Sequence, residues 1–223
     1  MAQREDRISI EWNHLPKSML PFFRKKEPPQ TLIPRVYIEL LCRLASQAVA
    51  SPGDLLEVGV YKGGSLYRIA DHVNANRRKE IRGRKFFGID TFSGHPYHDP
   101  EHDPKHHFTG RFSDTSYEAV RTALRPFRFV EVLKGECGEL FAQMPLDQRF
   151  CFAHIDVDIG KSAMISTEYV YPRLSPGGIL IYDEYRGYAQ EAFLDSFFKD
   201  KPVKLEERSG RSGDDYGLIV YRL

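Results

Sequence analysis

The chain has 223 residues, which is enough for one sizeable domain around a single core. Its 32 Lys and Arg residues balance 31 Asp and Glu residues, so a net charge of +1 gives no reason to expect a nucleic acid as partner. Three widely spaced cysteines, no apolar signal-peptide core and no apolar run of membrane-spanning length predict a protein of the cytoplasm with no membrane partner.

The sequence of residues 1–50 predicts an N-terminal arm followed by a helix. The first 30 residues carry four prolines, yet they contain too many apolar and aromatic side chains for a free tail. Apolar residues then recur at helical spacing from Leu32 to Val49, and a Ser-Pro-Gly-Asp turn ends the pattern. We expect this N-terminal part to act as a lid or to contact another copy of the chain, in a homodimer or a higher homo-oligomer.

Strand and helix patterns alternate over residues 51–223, which is typical of a parallel sheet. Short apolar runs predict strands at 54–59, 85–90, 129–134, 150–156 and 178–183. Amphipathic patterns predict helices at 63–76, 114–125, 137–143, 161–174 and 189–199. Two last runs, 203–208 and 216–222, predict a closing hairpin. The sequence therefore predicts an α/β fold with a doubly wound, seven-stranded sheet.

Acidic residues end two of the predicted strands. Asp156 ends one of them, and Asp183 with Glu184 ends the next. Ligands of open α/β sheets bind outside the carboxyl ends of the strands, and carboxylates without Cys or His suit Mg²⁺. We therefore predict a magnesium site formed by these three residues. Helix capping is the alternative interpretation, but it would not need two adjacent acids at one strand end.

A glycine-containing turn follows the first predicted strand. Gly59, Gly63 and Gly64 permit a sharp turn and the close approach of a ligand, although their spacing is not that of the dinucleotide motif. Asp90 ends the second predicted strand, where a carboxylate would bind a ribose diol or, alternatively, cap a turn. The glycine turn and this acid together favour an adenosine-containing cofactor.

Five histidines lie within residues 95–107, at positions 95, 98, 102, 106 and 107. Three of them are spaced four apart, which on a helix would form a metal-binding stripe. Pro100 and Pro104 argue against a helix, so we interpret the segment as a mobile lid rather than a transition-metal site. His106 and His107 are its candidate substrate contacts.

The motifs, in this order and spacing, resemble the macrocin O-methyltransferase family. They comprise residues 57–65, 89–96, 110–112, 133–135 and 171–178 together with the two acidic strand ends, and the resemblance extends over roughly residues 50–190. It implies a class I methyltransferase, Rossmann-like domain over residues 51–223. It also implies Mg²⁺-dependent transfer of a methyl group from S-adenosyl-L-methionine to a sugar or polyol hydroxyl in natural-product biosynthesis.

The resemblance implies roles for the matching residues. Asp158 would be the general base, which removes the proton of a hydroxyl that a bound metal orients and acidifies. Tyr185 joins the two histidines as a candidate contact of the small-molecule hydroxyl acceptor. The implied magnesium ligands are Asp156, Asp183 and Glu184. The implied cofactor contacts are Glu57, Gly59, Val60, Tyr61, Gly63, Ser65, Asp90, Thr91, Gly135, Glu136 and Asp156.

The chain departs from the family pattern at two places. Glu184 stands where a second aspartate is common, which keeps an oxygen donor. Residues 159–161 read Ile-Gly-Lys where the family has an aromatic residue and an acid, which alters a wall of the acceptor site. A catechol or phenol acceptor is an alternative, because catechol-type enzymes share a similar Glu-x-Gly-x-x-x-Gly-x-Ser loop and a carboxylate metal site. A cephalosporin hydroxylase-like oxygenation component is another, because such proteins resemble the same acidic signature. A non-catalytic binding module is disfavoured, because it has no need of carboxylates that repel one another.

Overall fold

The computed structural model describes residues 27–186, 189–209 and 216–223. Residues 1–26 of the arm predicted over residues 1–30, and the turn of the predicted hairpin, lie outside these ranges. The role of the arm as lid or oligomer contact stays a prediction. No helix within the described ranges is long and apolar enough to cross a membrane.

Helices and strands alternate along the described chain at the predicted places. The helices are α1 (Arg35–Ala48), α2 (Gly64–Asn76), α3 (Tyr117–Leu124), α4 (Cys137–Phe141), α5 (Gly160–Arg173) and α6 (Glu191–Phe198). The strands are β1 (Asp54–Val58), β2 (Phe86–Asp90), β3 (Val130–Lys134), β4 (Phe150–Ile155), β5 (Leu174–Tyr182), β6 (Val203–Ser209) and β7 (Tyr216–Arg222). The helix expected from residue 32 begins three residues later, after Pro34, which occupies the position before its first turn.

The strands form one seven-stranded sheet in the order β3-β2-β1-β4-β5-β7-β6. Strands β1 to β5 pair in parallel, and β7 pairs antiparallel with both β5 and β6. The chain winds one way from β1 to β3 and the other way from β4 onward, so a crevice opens between β1 and β4 at their carboxyl ends. The prediction of a doubly wound, seven-stranded α/β fold is confirmed.

Strand β5 begins earlier than the sequence predicts. Its first residue, Leu174, pairs with Phe150, whereas Ile179 pairs with Phe152, so residues 175–178 form a bulge against β4. The bulge contains the Pro-Gly-Gly sequence of residues 176–178. The downstream part of β5 keeps the expected register and carries the acidic strand end.

Both faces of the sheet are covered, which fixes the strand ends that form the site. Leu55 and Leu56 of β1 are fully buried and belong to the hydrophobic clusters on opposite faces. Helices α1, α2 and α3 contribute to one cluster, and α4, α5 and α6 to the other. All six residues of β4 are buried. Because each fully buried Leu or Ile contributes about 1.5–3 kcal/mol, the central strands are a rigid base for side chains at their ends.

Candidate active site

A cavity of about 800 Å³ lies over the carboxyl ends of β1, β2, β4 and β5. The turn after β1 and the residues after β3 line one end, which we call the cofactor end. The ends of β4 and β5, the start of α1 and the end of β6 line the other, which we call the acceptor end. The cavity therefore lies where the topology predicts a ligand.

Asp90 organises the turn at the cofactor end. Its Oδ2 accepts hydrogen bonds from the backbone N–H groups of Val60 and Tyr61, at 2.8 and 2.7 Å, and its Oδ1 accepts one from Phe92 at 2.7 Å. Tyr61 and Phe92 both have positive φ angles, 50° and 53°. These hydrogen bonds hold two non-glycine residues in a rarely adopted conformation, which pre-forms the turn. The predicted hydrogen bond from a ribose to this carboxylate uses lone pairs that remain available.

Gly59 allows the ends of β1 and β4 to meet. Its φ of 92° lies in the region that favours glycine, and a Cβ at this position would collide with the backbone oxygen of Asp156. The backbone N–H of Asp156 also donates to the carbonyl of Val58 at 2.8 Å. The glycine turn and the first acid of the site are thus positioned by the same backbone contact.

Three carboxylates meet at the acceptor end. Asp156, Asp158 and Glu184 each place a carboxylate oxygen within 4.8 Å of the others. Burial raises the pKa of Asp156 and of Glu184 well above the usual range, and neighbouring carboxylates add to both shifts. Such a set of oxygen donors suits Mg²⁺, whose charge would offset the repulsion that raises these pKa values.

Asp183, the third predicted magnesium ligand, lines the same cavity. Its charge contributes to the raised pKa of both Asp156 and Glu184, so it lies near them. The group of mutually close oxygens within the described ranges contains Asp158 in its place. The structure thus brings the predicted base into the predicted metal cluster.

Asp158 lies three residues after the end of β4 and has a positive φ of 59°, which Asp tolerates better than most residues. Its Oδ2 is 3.4 Å from Nε2 of His95, and its Oδ1 is 3.9 Å from Nε2 of His107. Burial raises the pKa of Asp158, but the hydrogen bond from His95 and the nearby imidazoles outweigh burial, so the pKa is lowered. Burial also lowers the pKa of His107 to about 4. A hydrogen bond from Glu184 also lowers the pKa of Asp158.

The histidine-containing segment is a loop closed at its base. The backbone N–H of His95 donates to the carbonyl of Arg111 at 3.0 Å, and that of Gly110 donates to the carbonyl of His95 at 2.9 Å. Residues 95–107 contain no helix, as the two prolines predict. Asp103 accepts a hydrogen bond from the backbone N–H of Gly160 at 2.9 Å, which anchors the loop over the start of α5. The loop covers the acceptor end, and its mobility stays a prediction.

A family model described as macrocin-O-methyltransferase (TylF) matches residues 31–206. The chain belongs to this family. It is 27% identical over 143 residues to demethyldecarbamoylnovobiocin O-methyltransferase of Streptomyces niveus, covering 60% of this chain and 53% of that protein. It is 28% identical over 145 residues to mycinamicin III 3''-O-methyltransferase of Micromonospora griseorubida, covering 60% of this chain and 56% of that one. The chain thus spans about half the length of the curated relatives it matches.

Solved structures share the fold. The O-methyltransferase NovP superposes with a TM-score of 0.72 at 24% identity, over 86% of this chain and 81% of NovP. The calicheamicin methyltransferase CalS11 superposes with a TM-score of 0.65 at 18% identity, over 91% of this chain and 82% of CalS11. These similarities confirm the predicted class I methyltransferase architecture for this TylF-family chain.

Most of the predicted cofactor contacts of this TylF-family chain line the cavity. The lining includes Gly59, Val60, Tyr61, Ser65, Asp90, Thr91, Gly135, Glu136 and Asp156. Glu57 does not line it, because its carboxylate is fully buried and lies 3.0 Å from Nδ1 of His154 on the neighbouring strand. Gly63, also outside the lining, precedes α2 with a φ of 83° and faces Val120. The roles of these two residues towards the cofactor stay predictions.

The three predicted substrate contacts differ in their burial and in the residues they contact. His107 reaches Asp158, whereas His106 is exposed and packs against the His107 ring at a centroid distance of 4.2 Å. Tyr185 is buried, and its hydroxyl donates to Asp195 rather than facing the cavity. None of His106, His107 and Tyr185 is among the lining residues, so their role as substrate contacts stays a prediction.

His95, Tyr37 and Arg208 line the acceptor end and carry polar groups, but they were not among the predicted site residues. His95 belonged to the recognised histidine group, and its position directly after the Asp90 turn was a usable signal. In the sequence, Tyr37 resembles the neighbouring apolar residues of α1. Arg208 resembles the other charged residues of the strand near the end of the chain. No local pattern distinguishes these two.

Proposed function

We propose that this chain is an S-adenosyl-L-methionine- and Mg²⁺-dependent O-methyltransferase that acts on a sugar or polyol hydroxyl in natural-product biosynthesis. The observation that carries the proposal is one cavity with the Asp90-bound glycine turn at one end and the Asp158 carboxylate cluster at the other. Membership of the TylF family supports it, as do relatives named as O-methyltransferases of novobiocin, mycinamicin and tetracenomycin compounds.

The pre-formed cofactor end supports cofactor binding. The turn offers backbone groups for the methionine part, and Asp90 offers a carboxylate for the ribose. Gly135 and Glu136, after β3, line the part of the cavity that an adenine would occupy. Because Asp90 already fixes the turn, little conformational entropy is lost when a cofactor binds.

The acceptor end supports proton removal. When bound, the cofactor supplies an electrophilic methyl group and Mg²⁺ supplies the Lewis acidity that lowers the pKa of a hydroxyl. Asp158, whose lowered pKa keeps it ionised, accepts the proton of that hydroxyl. Asp156 and Glu184 would hold the cation.

The proposal of a sugar hydroxyl rather than a phenol is supported by relatives named as a mycinamicin III 3''-O-methyltransferase and a rhamnosyl-tetracenomycin 4'-O-methyltransferase. Asp158 is a weak base, so it serves only where a metal assists, and the carboxylate cluster provides for that metal. Ile159, at the place where the family has an aromatic residue, is buried and lines the cavity as an apolar surface. We propose a small-molecule hydroxyl acceptor as partner. Homodimer formation and a cytoplasmic location stay predictions, and sedimentation of the purified chain tests the former.

Calorimetry of S-adenosylhomocysteine and of Mg²⁺ tests the proposal on wild type, Asp156→Ala and Asp147→Ala. Asp147 is an exposed carboxylate on the turn before β4 and is the matched control. We expect the cofactor product to bind to wild type, and Mg²⁺ binding to be lost only in Asp156→Ala. Absence of S-adenosylhomocysteine binding to the wild-type chain would contradict the methyltransferase proposal.

A panel of acceptors then tests the substrate class. Wild type is incubated with S-adenosyl-L-methionine, Mg²⁺ and either glycosides or catechols, and methylated product is measured by mass spectrometry. Methylation of glycosides without oxygen supports the proposal and removes the oxygenation alternative. Methylation of catechols alone would replace the sugar acceptor with an aryl one.

A further inference from the structure

One cationic side chain, Arg208, lines the cavity among the residues that the structure describes. It extends from β6 and lies over the ring of Tyr37, with its guanidinium carbon 4.6 Å from the ring centroid. The remaining charged residues of the described lining are acidic. The charges of Arg208, Asp183 and Glu184 all act on Tyr37, so this cation lies close to the acidic strand end.

Tyr37 fixes the position of this cation beside the carboxylate cluster. A Cβ at Gly217 would collide with the Tyr37 hydroxyl and would lie 2.8 Å from the carbonyl oxygen of Tyr182. The phenol therefore packs tightly against β7 and the last residue of β5. Burial raises the pKa of Tyr37, and the charge of Asp183 adds to this shift, which shows how near the ring lies to the acidic strand end.

The guanidinium of Arg208 is incompletely bound. Its Nη1 is buried and has no hydrogen-bond partner within the described ranges. Arg186, which follows β5, differs from Arg208 in having acidic partners. It forms ion pairs with Glu191 at 2.7 Å and with Glu207 of β6. Leaving a buried charged donor without an acceptor costs more than leaving a neutral one. Arg208 therefore has a donor ready for a group that enters the cavity.

We propose that Arg208 binds an anionic group, a carboxylate or a phosphate, on the acceptor molecule. This inference rests on the proposed function and narrows its substrate class to acidic sugars or sugar phosphates. The planar guanidinium matches both anions with two parallel hydrogen bonds, and the Tyr37 ring holds its plane. An acceptor held at Arg208 by its anion directs a hydroxyl towards Asp158 and the metal ligands across the same cavity.

Calorimetry with three matched probes tests the inference. The probes are glucuronate, glucose 1-phosphate and methyl glucoside, each titrated into the full chain saturated with S-adenosylhomocysteine, with and without Mg²⁺. The variants are Arg208→Gln, Arg208→Lys and the control Arg121→Gln, an exposed arginine of α3. We expect one anionic probe to bind wild type at least about tenfold more tightly than the neutral probe, as a charge-assisted hydrogen bond gives. The preferred anionic probe identifies the carboxylate or the phosphate as the source.

The variants separate Arg208 from the metal as the origin of that preference. We expect Arg208→Gln to remove it with and without Mg²⁺, Arg208→Lys to keep part of it, and Arg121→Gln to keep all of it. Equal binding of the three probes, or no binding of any of them to a chain that binds S-adenosylhomocysteine, would overturn the inference while the proposed function stands. A preference that persists in Arg208→Gln would also overturn it. Failure to bind S-adenosylhomocysteine identifies a failure of the proposed function instead.

Discussion

The cofactor end of the cavity is formed mainly by backbone groups, whereas the acceptor end is formed by side chains. At the cofactor end, backbone N–H groups of one turn bind one carboxylate, and the residues involved belong to two neighbouring strands and their turns. At the acceptor end, side chains arrive from α1, the histidine loop, β4, β5 and β6. A site made of backbone tolerates little change, whereas one made of side chains from separate segments can change its ligand without changing the fold. Variants at each end should therefore fail in different ways.

Replacement of the predicted base, Asp158, should have the largest effect on turnover. This effect should be limited to the acceptor end. We expect Asp158→Asn to lower kcat by about 10²–10⁴-fold, because a positioned general base contributes that much. Affinity for S-adenosylhomocysteine should stay at the wild-type value, measured by calorimetry. The exposed Asp200→Asn is the control. Wild-type turnover in Asp158→Asn would remove the base assignment.

Replacement of Gly59 should damage both ends together, since its turn positions Asp156. We expect Gly59→Ala to lower the free energy of unfolding by about 3 kcal/mol, from a disfavoured φ and a steric collision. Gly83→Ala is a matched control, because Gly83 has a φ of 82° with nothing within 4 Å of an added Cβ. Gly83→Ala should lower the free energy of unfolding, measured with denaturant, by only about 1 kcal/mol. Equal costs would show that the contact with β4 contributes nothing.

Replacement of Asp90 should weaken the cofactor end alone. We expect Asp90→Asn to reduce affinity for S-adenosylhomocysteine by about tenfold, because the hydrogen bonds from Val60 and Tyr61 lose their charge assistance. Binding of Mg²⁺ should be unchanged. Asp114→Asn is the comparison, since Asp114 contacts the Tyr61 hydroxyl and Lys62 at an exposed position where ion pairs contribute little. A greater loss in Asp114→Asn than in Asp90→Asn would contradict this account.

The smallest effect concerns pH and the histidine loop. The pKa of His107 falls from 6.5 to about 4 on folding, so the unfolded chain binds more protons between these values. Stability that is present above pH 6.5 is therefore lost as the pH falls towards 4, by about 1 kcal/mol at pH 5 after allowance for solvent screening. Thermal unfolding of wild type and His107→Gln at pH 7 and pH 5 measures it. A Tm decrease of the same size in both proteins would exclude His107 as its source.

The sequence by itself determined the sheet, the glycine turn and the acids at the strand ends. These features are local, because apolar periodicity fixes each strand and helix, and a parallel sheet brings all carboxyl strand ends to one edge. The convergence of Asp156 and Glu184 follows from that rule. The bulge at the start of β5 did not follow, because its Pro-Gly-Gly sequence is equally typical of a turn.

Only the tertiary structure decided which side chains complete the acceptor end. His95 reaches Asp158 because the loop closes through its own backbone hydrogen bonds, and Tyr37 meets Arg208 because α1 packs beside the antiparallel end of the sheet. These partners lie far apart in the chain, and each contact depends on packing that no local pattern encodes. Glu57, whose role towards the cofactor stays a prediction, is buried and lies 3.0 Å from His154 on the neighbouring strand, which its motif does not indicate. Short stretches of sequence determine which functional groups are present at a strand end. The direction in which each side chain points depends on the residues from other segments that pack around it.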